Sequence, residues 1–196
     1  MTKQVEFYYD YGSPTTYLAW TQLPDICARH GGELVCRPIL LGGIFKATEN
    51  HTPVEIIPKG AWMLDDMLRF AGRYGVPFEM NPHFIVNTLA IMRGAIWASA
   101  SNVIERYNTA MFEAMWVGER NMAEPQEIMD VLANAGLDSG AAAEAVQSPD
   151  VKQALIAATG AAVERGLFGV PTMIIGDELH FGQDRLDWVA EALDRA

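Results

Sequence analysis

Val5, Phe7 and Tyr9 alternate with Glu6, Tyr8 and Asp10, the period-two pattern of a half-buried strand. From Ser13 to about His30 the apolar spacing lengthens to that of a helix, and Gly31-Gly32 marks its end. Glu33 to Ile39 predicts a second strand. A strand, a crossover helix and a strand within about 35 residues form a parallel, right-handed unit. Leu40 to Pro58 reads as a loop, with Gly42-Gly43, Asn50 and two prolines. Met63, Met67, Phe70, Ala71 and Tyr74 then recur at helical spacing until Gly75-Val76-Pro77 stops them. Asn87 to Val117 predicts one long helix or two. Further helices follow from Glu124-Pro125 to Ala135-Gly136, over Asp138 to Val146, and from Ser148-Pro149 to about Arg165. Strand character returns at Pro171 to Ile175. Gly176-Asp177 is a hairpin turn signal, and Glu178 to Phe181 is the returning strand. Gly182-Gln183-Asp184 opens a last helix with Leu186, Val189 and Leu193 on one face.

This order, βαβ, helices, ββα, is that of an α/β protein with a thioredoxin-like fold and a large all-helical insertion, a DsbA-like arrangement. It divides the chain into residues 1–58 with 167–196, the discontinuous thioredoxin-like part, and residues 59–166, the helical insertion. Half of the 196 residues are hydrophobic, enough for a sizeable core. The net charge of −11 argues against a nucleic-acid partner, which needs a basic surface, yet leaves room for a local basic pocket. No apolar run approaches the roughly 18 residues of a membrane span. Met1-Thr2-Lys3-Gln4 leads into a strand with no charged and apolar leader, so a cytoplasmic protein is expected. Cys27 and Cys36 are the only cysteines; their spacing permits a disulfide, but two reduced core residues is the simpler expectation. His30, His51, His83 and His180 lack metal-ligand spacing, so no metal site is expected.

Chemistry concentrates at two junctions. Gly12-Ser13-Pro14-Thr15-Thr16 stands between the first strand and its helix, where a thioredoxin-type redox site carries Cys-Pro-x-Cys; Ser13 and Thr16 occupy the cysteine positions. Phe168-Gly169-Val170-Pro171-Thr172 enters the third strand, where that fold places a proline, usually cis, facing the active site. A chain with both landmarks and no dithiol cannot run cysteine redox chemistry there, but it can bind a thiol and use it.

Four segments resemble the DsbA-like superfamily and, within it, the 2-hydroxychromene-2-carboxylate isomerases and kappa-class glutathione transferases. They are Phe7 to Pro14 with Tyr17-Leu18-Ala19, Arg37 to Lys46 with Asn50, Phe168 to Thr172, and Phe181 to Leu186. The resemblance covers essentially the whole chain. Departures are Thr15 and Thr16, where relatives often have an aromatic and a serine; Glu49, where a glycine often precedes the asparagine; and Gln183, commonly Asn or Ser.

By position alone Ser13 is an N-cap with Pro14 behind it, worth about 1 kcal/mol. The resemblance implies that its hydroxyl donates a hydrogen bond to the sulfur of bound glutathione. Only a thiolate is nucleophilic, and a free thiol titrates near 8.5, so the site must lower that value. The resemblance also implies that Val170, before the cis Pro171, pairs its backbone with the cysteinyl part of glutathione, and that Asp184 and Arg185, with Gln183, hold the γ-glutamyl end. Asp184 is otherwise an N-cap of the last helix. Asn50 is implied at the glutathione or substrate wall, with Lys46 and Asn87 towards an anionic substrate; Lys59 and Arg93 are further cations. Met111 and Met115, beside Trp116, are core or cleft residues. The implied activity is isomerisation of a chromene carboxylate to a hydroxybenzylidenepyruvate by addition and elimination of glutathione thiolate. The alternatives are a kappa-type transferase or peroxidase, and a non-catalytic thiol- or peptide-binding module. The implied partners are glutathione, a small aromatic carboxylate and a second copy of the chain.

Overall fold

The computed structural model describes residues 3–196; Met1 and Thr2, where the reading of the N-terminus begins, lie outside the described residues. Strand β1 (Lys3–Tyr9) pairs in parallel with β2 (Gly32–Pro38), setting Phe7 opposite Cys36. On its other side β1 pairs antiparallel with β3 (Thr172–Ile175), which forms a hairpin with β4 (Glu178–Phe181), giving the order β2-β1-β3-β4. The crossover is not one helix but two, α1 (Pro14–Trp20) and α2 (Leu23–Arg29). Pro24 explains the break: it has no N–H for the carbonyl of Trp20, and its ring would clash there.

Leu41–Thr48, expected as loop, is helix α3. Its Gly42-Gly43 looks like loop sequence for a tertiary reason. A Cβ on Gly43 would sit 2.9 Å from the Thr159 methyl of α9 (Pro149–Glu164), so glycine lets the two helices touch. Between them in sequence lie α4 (Ile57–Tyr74), α5 (Leu89–Ala100), α6 (Ile104–Trp116), α7 (Pro125–Asn134) and α8 (Ser139–Ala145). Asn87 to Val117 is thus two helices, separated at Asn102, whose φ is +57°. The chain ends in α10 (Leu186–Arg195), which buries Leu186, Val189 and Leu193.

Both faces of the sheet are covered, so the alternation in β1 is incomplete. Val5, Phe7 and Tyr9 pack with Trp20 and Phe112 on one face; Tyr8 is buried on the other with Ile39, Ile44 and Ala162. Cys27 and Cys36 are both free thiols. Burial pushes them up to about 11 and about 12, so neither ionises near neutrality. No helix among the described residues is long and apolar enough to cross a membrane, and they contain no cluster of three or more metal-ligating side chains.

Candidate active site

The site is built where β1 ends. Asp10, 1 % exposed, turns its carboxylate back onto the chain. Its Oδ1 accepts the Gly12 N–H at 2.9 Å, and its Oδ2 accepts the Leu41 N–H, the first amide of α3, at 2.8 Å. Burial raises the Asp10 pKa above the ordinary carboxylate value, and these two bonds, with the nearby Thr88 hydroxyl, oppose the rise. One buried carboxylate therefore ties the Ser13 turn to the helix that forms a neighbouring wall.

Ser13 caps α1: its Oγ accepts the Thr16 N–H at 3.3 Å. The same oxygen lies 3.0 Å from Thr15 Oγ1 and 3.5 Å from the Val170 carbonyl. Ser13 and Val170, 157 residues apart, are thus brought face to face across the sheet end. The Val170–Pro171 peptide bond is cis. The Pro171 carbonyl is occupied by the Gly182 N–H at 2.9 Å, while the Val170 N–H donates no hydrogen bond among the described residues. Gly169 is needed for packing, because a Cβ there would approach the Phe181 ring to 2.9 Å.

Above Ser13 opens a cleft of about 690 Å³. Ser13, Thr15 and Val170 line its polar floor. Phe45, Met63, Met67, Met80 and Phe84 supply apolar walls, with Asn50 and His51 towards the rim. Among the described residues no Lys, Arg, Asp or Glu lines it, and His51 is its one ionisable wall residue. Asn50 is clamped rather than free: its Nδ2 donates to the Phe168 carbonyl at 2.9 Å, and its Oδ1 accepts the His51 N–H at 2.9 Å. Glu49, before it, has a left-handed backbone with φ +55°, a conformation that glycine adopts freely.

The other expected residues stand apart from this cleft lining. Lys46 is exposed on the last turn of α3, not in a loop. Asn87 uses its Oδ1 to accept the Leu89 N–H at 3.0 Å, and lines a separate small pocket with Arg93. Gln183 is buried, and its carbonyl accepts the Tyr74 hydroxyl at 2.8 Å. Asp184 and Arg185 pair with each other at 2.7 Å, with side chains 42 % and 51 % exposed. Asp184 does not cap α10: it sits in a short 3-10 turn, and the cap position is Arg185. Met111 and Met115 are fully buried core; the methionines of the cleft are Met63, Met67 and Met80.

Thr15, His51 and Asp10 were missed as site residues. Each had a signal: a hydroxyl beside Ser13, a histidine after the loop asparagine, and an acid closing a buried strand.

Residues 4–194 match the model of the DSBA-like thioredoxin domain. The chain is 32 % identical over 195 residues to a 2-hydroxychromene-2-carboxylate isomerase of Sphingobium xenophagum, covering 98 % of this chain and 99 % of that one. It is 26 % identical over 211 residues to human glutathione S-transferase kappa 1, covering 98 % and 92 %. A solved structure of a 2-hydroxychromene-2-carboxylate isomerase superposes with a TM-score of 0.87 at 27 % identity, covering 98 % of this chain and 95 % of that one.

Proposed function

The chain belongs to the DSBA-like thioredoxin-domain family, and from that premise we propose that it is a glutathione-dependent isomerase interconverting a 2-hydroxychromene-2-carboxylate and a hydroxybenzylidenepyruvate. One observation carries the proposal: the buried Ser13 hydroxyl faces the Val170 backbone at the floor of an apolar cleft that has no dithiol.

In this proposal the cysteinyl part of glutathione pairs with the Val170 N–H, in the manner of a short added strand. The sulfur then lies by Ser13, whose O–H donates to the thiolate. A hydrogen bond to a charged group contributes about 1.5–3 kcal/mol, equal to roughly one to two pKa units on the thiol. The hemiketal ring opens to the cis enone. The thiolate adds to its β carbon, the π electrons pass to the ketone as an enolate, and the carbon–carbon double bond becomes single. The bond rotates, and collapse of the enolate re-forms the double bond and expels the thiolate. No atom is gained or lost, and glutathione is released unchanged. The aromatic body rests on Met63, Met67 and Phe84, flexible and ring-compatible surfaces. The γ-glutamyl end meets Asp184 and Arg185 beside Gln183 once their mutual ion pair opens. Asn50 shapes the wall through its clamp on Phe168, the His51 ring offers the substrate carboxylate a hydrogen bond from the cleft wall, and Lys46 and Asn87 act outside the lining. The family likeness further suggests a cytoplasmic homodimer, which sedimentation would test.

A spectrophotometric assay with catalytic glutathione decides the matter. Turnover of the chromene acid with no loss of free thiol supports the isomerase. Consumption of thiol with a model electrophile, and no isomerisation, replaces it with a kappa-type transferase, the activity named for the human relative. Glutathione binding with neither reaction leaves a binding module.

A further inference from the structure

A serine hydroxyl has one proton to donate and two lone pairs to accept with. At Ser13 one lone pair takes the Thr16 N–H at 3.3 Å. Thr15 Oγ1 lies 3.0 Å away, and Ser13 Oγ is its one hydrogen-bond partner among the described residues. The remaining neighbour, the Val170 carbonyl at 3.5 Å, is at the limit of a hydrogen bond.

We propose that Thr15 is a positioning residue for Ser13: its hydroxyl donates to Ser13 Oγ, so that the single Ser13 proton is directed at the sulfur bound beside Val170. This rests on the thiol site proposed above. With both Ser13 lone pairs filled, by Thr16 N–H and Thr15 O–H, its proton has two possible acceptors. A charged sulfur outcompetes a neutral carbonyl at 3.5 Å. The result is a directional chain from Thr15 to Ser13 to sulfur, in which each bond polarises the next.

The first turn of the helix gives the sulfur one further donor. Helix α1 is only seven residues long. Pro14 has no N–H and the Thr16 and Tyr17 amides are committed to Ser13, which leaves the Thr15 N–H as the uncommitted amide of that turn among the described residues. The hydroxyls therefore carry more of the thiol's acidification than a long uninterrupted helix would require.

The test is the pH titration of the thiolate ultraviolet absorbance of bound glutathione in four proteins: wild type, Thr15→Val, Ser13→Ala and the double variant. Valine keeps the shape of threonine and removes the hydroxyl. If a neighbouring bond strengthens another by about 10–30 %, Thr15→Val raises the bound thiol pKa by roughly 0.2–0.6 units. With a bound thiol one to two units below the free value of about 8.5, kcat at neutral pH then falls by up to about threefold with KM unchanged. Thr15→Ser, which keeps the hydroxyl, restores both. In the Ser13→Ala background Thr15→Val adds no shift. A Ser13→Ala shift with no Thr15→Val shift overturns the relay and leaves the thiol site standing. Equal, additive shifts also overturn it, since Thr15 would then act on sulfur directly. A wild-type bound thiol no more acidic than free glutathione overturns the thiol site and the relay together.

Discussion

The floor of the cleft and the turn before α10 are held differently. On the floor, Asp10 and Ser13 are 1 % and 7 % exposed, and their hydrogen bonds stay inside the protein. In that turn, which lies outside the cleft lining, Asp184 and Arg185 are about half exposed and are satisfied by each other. A buried group in a fixed geometry needs no rearrangement when a ligand arrives, which is the condition for electrostatic help to a developing thiolate. An exposed ion pair is worth little by itself and must open before it can bind anything. The floor is therefore suited to chemistry, and the turn to recognition with a cost of reorganisation.

Ser13→Ala should show the largest effect on activity. Losing a hydrogen bond to a charged sulfur, about 1.5–3 kcal/mol, predicts a fall in kcat of roughly ten- to hundredfold. Glutathione affinity should stay within a few fold, because the backbone pairing at Val170 survives. Steady-state kinetics beside calorimetric binding separates the two. An affinity loss as large as the kcat loss would make Ser13 a binding residue and erase the contrast.

The floor's rigidity is tested at Asp10. Asp10→Asn puts an NH₂ against one of two backbone N–H groups, so it should cost about 1–3 kcal/mol in denaturant unfolding. It should also change the pH profile. Burial raises the folded pKa of Asp10 above its unfolded value, so in the window between the two the folded protein binds more protons. Stability from this group is thus full below the unfolded pKa and is lost as pH rises through the folded pKa. The asparagine variant should lack that falling component. A profile parallel to wild type would show that Asp10 carries no such strain.

At the turn before α10 the expected effect is smaller. Asp184→Asn removes a carboxylate that Arg185 already neutralises, so glutathione should bind about three- to tenfold more weakly. An analogue without the γ-glutamyl ammonium should lose almost nothing. Equal losses for both ligands would mean that Asp184 only supports the turn before α10.

What the sequence made legible follows the same division. Ser13-Pro14 and Val170-Pro171 could be placed because cap and proline chemistry are local properties. The Pro24 break was also written in the sequence, but the continuous apolar spacing hid it. Helix α3 was not legible, since Gly42-Gly43 reads as loop until Thr159 of α9 is known to lie against Gly43. Methionines show the limit most clearly. Met67 lines the cleft while Met111 and Met115 fill the core, though all three sit on helical apolar patterns. Which methionine faces a cavity is decided by helices that pack from elsewhere. The Thr15 contact belongs to the same class, because a hydroxyl's partner depends on its rotamer and not on its neighbours in sequence.

The smallest effect is expected at Glu49, and it sharpens the comparison from the cleft rim. Glu49 ends α3 with φ +55° and ψ +22°, a conformation that a side chain disfavours by about 1–2 kcal/mol and that glycine adopts freely. Glycine returns some of that gain, because its unfolded chain has more freedom to lose, by roughly 0.5–1 kcal/mol. Glu49→Gly should therefore stabilise the protein by about 0.5–1 kcal/mol, or a melting shift near 2 °C for a chain of this size. Asn50 keeps its neighbours in place through its bonds to Phe168 and His51, so glutathione binding and kcat should not change. Thermal unfolding and titration calorimetry on the same preparation would measure both. A stabilised variant with weakened glutathione binding would mean that the strained Glu49 backbone sets the position of the Asn50 wall. The rim would then share the floor's preorganisation, leaving the turn before α10 as the contrast.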